Sequence, residues 1–274
     1  MRISTIALVV LAAVPFAPAS AADMPVKAPP PPPAAIYSWT GCYIGGNVGG
    51  IWEHDTTPIG IIDPTGLNAP AFGSGAIPNG YSYDRGSWLG GGQVGCNYQV
   101  TNWVVGIETD FDGTHLNGGQ TINTAVPGFF PITSNVTQKT DWIGTTRGRV
   151  GILTSSTTLL YGTAGAAYGH VADSYFLSNV GGGGPVYSFA SDSRTLVGWT
   201  AGGGVEVGFG QWSVKGEALY YDLGNDTFNR FCTLVGGGPC VIPDTIHPAR
   251  FENRGVIARV GLNYHFNMGP VVGN

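Results

Sequence analysis

The chain has 274 residues and a formal net charge of −5, and only 11% of its residues are charged. This mildly acidic balance gives no reason to expect nucleic acid as a partner. After the first residues, no apolar run is long enough for a membrane-spanning helix, so a membrane protein of this sequence would have to be a barrel.

The N-terminus predicts export. Residues 1–22 combine a charged start, an apolar segment and the small-residue site Ala19-Ser20-Ala21, which together are typical of a secretory signal peptide. Cleavage is expected after Ala21 or Ala22. The mature protein therefore leaves the cytoplasm.

Prolines dominate residues 23–38, which predicts an extended polyproline tether because proline lacks the amide donor of helices and sheets. We expect this tether on the periplasmic side. It is a candidate binding segment for peptidoglycan or for periplasmic partners.

After the tether, apolar and polar residues alternate in eight segments. The predicted strands are 39–52, 85–100, 103–113, 138–153, 158–171, 194–209, 212–223 and 251–266. Short turns at 101–102, 154–157 and 210–211 alternate with long loops at 53–84, 114–136, 172–192 and 224–250. This asymmetry is typical of barrels with short periplasmic turns and long external loops.

Strand length separates a barrel from a soluble β-sandwich. The hairpin 194–223 has strands roughly twice the usual five or six residues, as tilted strands in a bilayer do. The sequence therefore predicts an all-β fold: an eight-stranded antiparallel up-and-down transmembrane barrel over 39–267, followed by a tail at 268–274. Aromatic residues near the strand ends predict interfacial girdles, namely Trp39, Trp52, Trp88, Trp103, Trp142, Trp212, Tyr264 and Phe266.

The polar faces of these strands carry charges of both signs. By the alternation, the acidic residues Glu108, Asp110, Glu206 and Glu217 point inward, as do the basic residues Arg147, Arg149, Lys215 and Arg259. Paired charges can be accommodated in a confined interior, whereas an unpaired charge is costly. The sequence predicts a polar plug; the alternative is a narrow ion path between these side chains.

Four cysteines in an exported protein favour disulfides. Cys232 and Cys240 bracket a short Gly-rich stretch of an external loop, so a disulfide is expected there. Cys42 and Cys96 lie at the periplasmic ends of neighbouring predicted strands, where a cross-strand disulfide is the second expectation.

Neither a catalytic site nor a metal site is predicted. None of the five histidines has a serine and an acidic residue at a persuasive spacing, and no His/Cys pair has the spacing of metal ligands. No cofactor is expected.

Five stretches of the chain resemble a known family: WTGCYIGGNVGG, GGGQVGCNYQ, DWIGTTRGRVG, VGWTAGGGVE with SVKGEALYYDLG, and ARVGLNYHF. They are similar to the small porin-like outer-membrane β-barrels and opacity-type surface antigens of rhizobial and related alphaproteobacteria. The resemblance covers nearly the whole mature chain, including the ADMPVKAPPPPP leader. Family members commonly have an aromatic residue at the positions of Cys42 and Cys96, and they usually stop at the terminal aromatic residue, whereas NMGPVVGN follows Phe266 here.

The resemblance implies a structural and surface-exposed barrel rather than an enzyme. We expect an outer-membrane protein that contributes to envelope integrity and presents surface loops. The alternatives are a narrow porin and an adhesin or ligand-binding protein that acts through its loops. Tyr264 and Phe266 are implied as the terminal assembly signal, with outer-membrane lipid, lipopolysaccharide and the barrel-assembly machinery as partners.

Overall fold

The computed structural model describes residues 37–59, 73–75, 78–127, 131–179, 188–228 and 249–267, and only the backbone of residues 179, 188–190, 226–228, 249 and 267. The signal peptide, the tether up to residue 36, Cys232, Cys240 and the tail 268–274 lie outside these residues. Among the described residues, no helix is long and apolar enough to cross a membrane.

Among the described residues, eight antiparallel strands follow one another in sequence order around a closed barrel. They are β1 (Gly41–Pro58), β2 (Gly80–Val100), β3 (Trp103–Thr124), β4 (Ile132–Ser155), β5 (Thr158–Asn179), β6 (Ser188–Phe209), β7 (Trp212–Phe228) and β8 (Ala249–Asn267). The ladder between β1 and β8, from Gly41↔Asn267 to Glu53↔Gly255, closes the ring. The predicted fold class is confirmed.

Three two-residue turns, 101–102, 156–157 and 210–211, join strands at one end of the barrel. Two of them lie where they were predicted. The turn predicted at 154–157 is shorter because β4 continues to Ser155. Gly210 has a φ of 62°, a left-handed conformation that glycine adopts without steric cost.

An apolar band surrounds the outside of the barrel. Trp88 and Tyr98 on β2 are 80% and 62% exposed, and they face outward ten residues apart. At about 3.3 Å per residue and a tilt of about 40°, this spacing is about 25 Å along the barrel axis, the height of the lipid-facing band of such barrels. Two belts of aromatic residues lie at the edges of this band. The outer girdle consists of Trp52, Trp88, Trp142, Tyr168, Trp199 and Tyr220. The periplasmic girdle consists of Tyr98, Trp103, Phe209, Trp212, Tyr264 and Phe266.

Above the outer girdle the strands continue, but there the apolar side chains point into the barrel and the polar side chains point outward. Within the band of β4, Val150 and Ile152 are exposed outside while Arg147 and Arg149 are buried inside; near its outer end, Val136 is buried and Thr137 is exposed. Much of the chain predicted as loop at 53–84, 114–136 and 172–192 is therefore strand. The prediction was wrong there because it relied on outward apolar residues, which are scarce in these extensions.

The structure joins Cys42 and Cys96 by a disulfide, and the two residues face each other across the β1–β2 ladder. Both lie on the outward side near the periplasmic end, one residue from the inward-facing Tyr43 and Asn97. The second predicted pair, Cys232 and Cys240, lies outside the described residues.

We predict at most two titratable thiols in the denatured, unreduced mature protein. The substitution Cys42→Ser should add one thiol, from Cys96. Because the bridge closes a loop with a sequence separation of 54 residues, the double substitution C42S/C96S should lower the free energy of unfolding by about 4 kcal/mol. Four free thiols in the unsubstituted protein would contradict the bridge.

Candidate functional site

The barrel interior is the candidate functional site, and all eight charged residues predicted to point inward lie inside it. None is more than 5% exposed: Glu108 and Asp110 on β3, Arg147 and Arg149 on β4, Glu206 on β6, Lys215 and Glu217 on β7, and Arg259 on β8. Their side chains form one network of ion pairs, which we call the interior network.

Arg147 lies at the centre of the interior network. Its Nη1 donates to Glu217 Oε2 at 2.9 Å, and its Nη2 donates to Glu108 Oε1 at 2.6 Å and to Asp110 Oδ2 at 2.9 Å. The remaining donor, Nε, bonds to Thr145 Oγ1 at 2.8 Å. One guanidinium group on β4 therefore joins carboxylates of β3 and β7, and such charge-assisted bonds are the stronger kind in proteins.

Arg259 joins β8 to the same carboxylates. Its Nη2 donates to Asp110 Oδ2 at 2.7 Å and to Glu217 Oε1 at 2.8 Å. Its Nη1 donates to Asp112 Oδ2 at 2.5 Å. Asp112 is not among the eight charges predicted to point inward, yet its position two residues after Asp110, on the same face of β3, was the available signal that it belongs to this network.

One ion pair crosses the whole lumen. Lys215 Nζ donates to Glu108 Oε1 at 2.7 Å, and both side chains are buried. Because β3 and β7 are diametrically opposite in an eight-stranded ring, this bond spans the interior from wall to wall. At this level, side chains rather than a wide aqueous channel occupy the centre of the barrel.

Arg149 extends the interior network toward the periplasmic end. Its Nη2 donates to Glu206 Oε2 at 2.6 Å, and its Nη1 donates to Tyr43 Oη at 2.8 Å. The guanidinium carbon also lies 4.0 Å from the centroid of the Tyr161 ring, which is a cation–π contact. Tyr43 Oη in turn donates to Glu108 Oε2 at 2.6 Å.

Glycines on the inner wall make room for these large side chains. A Cβ at Gly95 would collide with the hydroxyl of Tyr43, and a Cβ at Gly204 would lie 2.7 Å from the Tyr161 hydroxyl. A glycine on one strand thus leaves space for the side chain of a tyrosine on a neighbouring strand. Part of the high glycine content follows from the narrowness of the barrel.

A second buried charge cluster lies nearer the outer end. Arg85 Nε donates to Asp55 Oδ2 at 2.5 Å, and Arg85 Nη2 also bonds to Glu53, which accepts from the Tyr221 hydroxyl. This cluster was not predicted, because the first strand was predicted to end at Trp52 and residues 53–84 were predicted to be a loop.

An aromatic plug of Tyr37 and Trp39 fills the periplasmic mouth. Trp39 is fully buried, and its ring centroid lies 4.8 Å from that of Tyr37 and 6.0 Å from that of His265. The Trp39 amide donates to Gln99 Oε1 at 3.1 Å. The prediction that Trp39 belongs to an interfacial girdle was wrong, because the chain before β1 turns into the lumen instead of meeting lipid.

Ser213, His265 and Glu206 meet inside the barrel, although no such grouping was evident from their spacing in the sequence. Ser213 Oγ lies 2.8 Å from His265 Nε2 and 2.5 Å from Glu206 Oε1. A catalytic relay needs the acid on Nδ1 of the imidazole. Here Glu206 approaches the same Nε2 atom at 3.6 Å and is bound by Arg149, so the three residues form a structural cluster rather than a relay.

Tyr264 and Phe266 lie on the outer surface at the periplasmic end of β8. Their ring centroids are 5.3 Å apart, and Phe266 is 52% exposed. This position at the membrane interface is compatible with the predicted assembly signal, which stays a prediction.

The family model of the outer membrane protein beta-barrel domain matches residues 7–236. The chain belongs to this family. The 31 kDa outer-membrane immunogenic protein of Brucella melitensis biotype 1 is 35% identical over 256 residues, which cover 90% of this chain and 93% of that protein. The protein of that name in Brucella suis biovar 1 has the same identity and coverage. Membership of the outer-membrane β-barrel family confirms the predicted resemblance and places the chain in the outer membrane.

Solved outer-membrane proteins are similar to this member of the family at low identity. OprG of Pseudomonas aeruginosa has a TM-score of 0.41 and 10% identity, with 85% of this chain and 100% of that chain covered. The protease OmpT of Escherichia coli has a TM-score of 0.44 and 11% identity, with 84% and 98% covered.

Removing Arg259 should destabilise the barrel strongly. Arg259→Met leaves the carboxylates of Asp110, Asp112 and Glu217 with fewer cationic partners in a buried site, and the expected loss in the free energy of unfolding is about 3–5 kcal/mol. Urea unfolding in detergent micelles measures this loss, with the fraction of folded protein read from the difference in electrophoretic mobility between folded and boiled protein.

Arg254→Met is the matched control on the same strand. Arg254 is half exposed and pairs with Glu252 at 2.5 Å, so its loss should cost about 1 kcal/mol or less. Equal, small losses in both variants would contradict a stabilising interior network.

Proposed function

We propose that this protein is a structural outer-membrane barrel, closed to solutes by its interior network, that contributes to envelope integrity and presents its external loops at the cell surface. The single observation that carries the proposal is the bond between Lys215 and Glu108 across the lumen. A side-chain bond between opposite walls is incompatible with a wide aqueous channel at that level.

The layering of the interior supports the same proposal. The aromatic plug lies at the periplasmic mouth and the interior network above it. Three layers follow toward the outer end. The first is apolar and includes Ile51, Leu89 and Ile143, the second is the Arg85 cluster, and the third is apolar and includes Ile132 and Val136. Buried apolar layers above and below a charged layer oppose the passage of water and ions, because both would have to leave polar surroundings.

The number of strands supports closure as well. Eight strands enclose an interior just wide enough for side chains, whereas barrels of about sixteen strands leave aqueous channels. A porin-like family name therefore does not require a pore here.

The Brucella relatives are named as immunogenic outer-membrane proteins. This name supports surface presentation as part of the proposed role. A rigid barrel with connections at its outer end is suited to it, because surface loops on a stable scaffold can vary without loss of the fold.

Planar-bilayer recordings test closure. The purified protein should give no regular conductance steps, because its lumen is filled and its charges are paired. A large trimeric porin purified and inserted in the same way serves as the positive control. Regular steps that scale with salt concentration would mean that ions thread through the interior network, and the alternative of a narrow porin would replace this proposal.

A further inference from the structure

The Arg85 cluster contains two carboxyl groups but one guanidinium group. Arg85 Nε donates to Asp55 Oδ2 at 2.5 Å, and Arg85 Nη2 donates to Asp55 Oδ1 at 3.4 Å and also to Glu53 Oε2. The other oxygen of Glu53 is bonded to the Tyr221 hydroxyl. In the described part of the chain, Arg85 is the only cation that pairs with either carboxyl group. With both groups ionised, the cluster would carry a net negative charge.

These groups are shielded from water. The side chains of Arg85, Asp55 and Glu53 are 0%, 1% and 2% exposed. Along the chain, Glu53 and Asp55 lie between Ile51 of the first apolar layer and Ile59 of the apolar layer nearest the outer end. An unbalanced charge is costly in such surroundings, and a buried carboxyl group avoids this cost by keeping its proton.

The cluster lies beyond the lipid-facing band. Asp55 is three residues past Trp52, and Arg85 is three residues past Trp88, both of which belong to the outer girdle. Burial raises the pKa of Glu53 to about 7, where Arg85 acts against this shift and Asp55 reinforces it. Burial raises the pKa of Asp55 as well. Because Asp55 accepts two hydrogen bonds from Arg85 and Glu53 accepts one, the proton belongs on Glu53.

Tyr221 can accommodate the proton of Glu53. A phenol hydroxyl both donates and accepts, so protonated Glu53 can donate from Oε1 to Tyr221 Oη. Its other oxygen still accepts from Arg85 Nη2. The contact between β1 and β7 is therefore kept in both protonation states, whereas the charge of the cluster is balanced only in the protonated state.

Other titratable groups face this layer from the neighbouring strands. Inside the barrel they are Tyr83 on β2, Asp173 on β5, Asp192 and Arg194 on β6, and Tyr221 on β7. Arg194 pairs with Asp192 at 3.3 Å. On the outer face, His54 and Glu252 act on Asp55 electrostatically, and they pair with Asp84 and Arg254. Within the described ranges, none of these charged groups forms an ion pair with Glu53, so Arg85 alone must balance its charge.

We propose that Glu53 is a buried proton site that makes the outer section of the barrel respond to the external pH. The outer section consists of the strand ends beyond the outer girdle, which hold the Arg85 cluster and the apolar layer above it. At acid pH, protonated Glu53 leaves Arg85 and Asp55 as a balanced pair, and the outer section is closed. As the pH rises, Glu53 gives its proton to water, the cluster becomes negatively charged, and the outer section loosens. This inference is independent of whether the barrel conducts.

Infrared difference spectra of the mature protein in detergent micelles test for the proton directly. They are recorded from about pH 6 to about pH 9, above the usual carboxyl pKa of about 4. We expect the carbonyl band of one protonated carboxyl group to disappear as the pH rises. The substitution Glu53→Gln should remove this change, because an amide does not titrate. The matched control Glu252→Gln, at a partly exposed glutamate of the outer section, should keep it.

The substitution Asp55→Asn separates charge balance from a purely structural role. It leaves Glu53 as the one carboxyl group bound to Arg85, so the carbonyl band should disappear at a pH lower by about one unit or more. Unchanged mobility differences between folded and boiled samples establish that the variants are folded. An unchanged midpoint in folded Asp55→Asn would overturn the proposal. The unsubstituted protein is decisive by itself, since the absence of a carboxyl band that titrates in this range would also overturn it.

The stability of the barrel should follow the same proton. Between the usual glutamate pKa of about 4.3 and the raised pKa of Glu53, the folded state binds more protons than the unfolded state. The contribution of Glu53 to stability therefore falls as the pH rises through this window. Relative to Glu53→Gln, the folded-to-unfolded ratio of the unsubstituted protein should fall by up to about tenfold per pH unit in urea unfolding. Glu252→Gln should behave like the unsubstituted protein, and equal pH slopes in all three proteins would contradict the proposal.

Discussion

Backbone hydrogen bonding in a medium without water is the constraint on which this structure depends. A sheet in hydrocarbon cannot leave an edge unpaired, because each unsatisfied amide or carbonyl would cost several kcal/mol. The ladder between β1 and β8 removes both edges over the membrane. Closure with only eight strands then makes the interior narrow, and the narrow interior determines which side chains can point into it.

Charge pairing follows from this narrowness. Five carboxylates and four basic side chains face one another inside the band, and each basic side chain is bound by carboxylates of other strands. Removing one partner would leave a buried charge uncompensated, which is costly, whereas the complete network both fills the lumen and ties opposite walls together. Stability and closure to solutes are therefore two consequences of the same contacts.

Much of this arrangement could be predicted from the sequence, since strands in lipid must alternate between an apolar and a polar face. Val205 and Val207 flank Glu206, and that contrast alone places the glutamate inside. The contrast disappears above the membrane, where Val136 turns inward and Thr137 outward, so the strand extensions and the Arg85 cluster could not be recognised. The positions of Trp39 and of the Ser213–His265 pair depend on contacts between distant parts of the chain, which no local pattern encodes.

Charges on different strands are coupled directly inside this closed barrel. A double-mutant cycle of Arg147→Met and Glu217→Gln, with urea unfolding in micelles as the readout, tests this coupling most directly. Direct coupling predicts two strongly destabilised single variants and a double variant that is more stable than their summed losses imply, with a coupling energy of about 1.5 kcal/mol or more. Losses that add within about 0.5 kcal/mol would mean that water screens the pair, and would contradict a filled and closed interior.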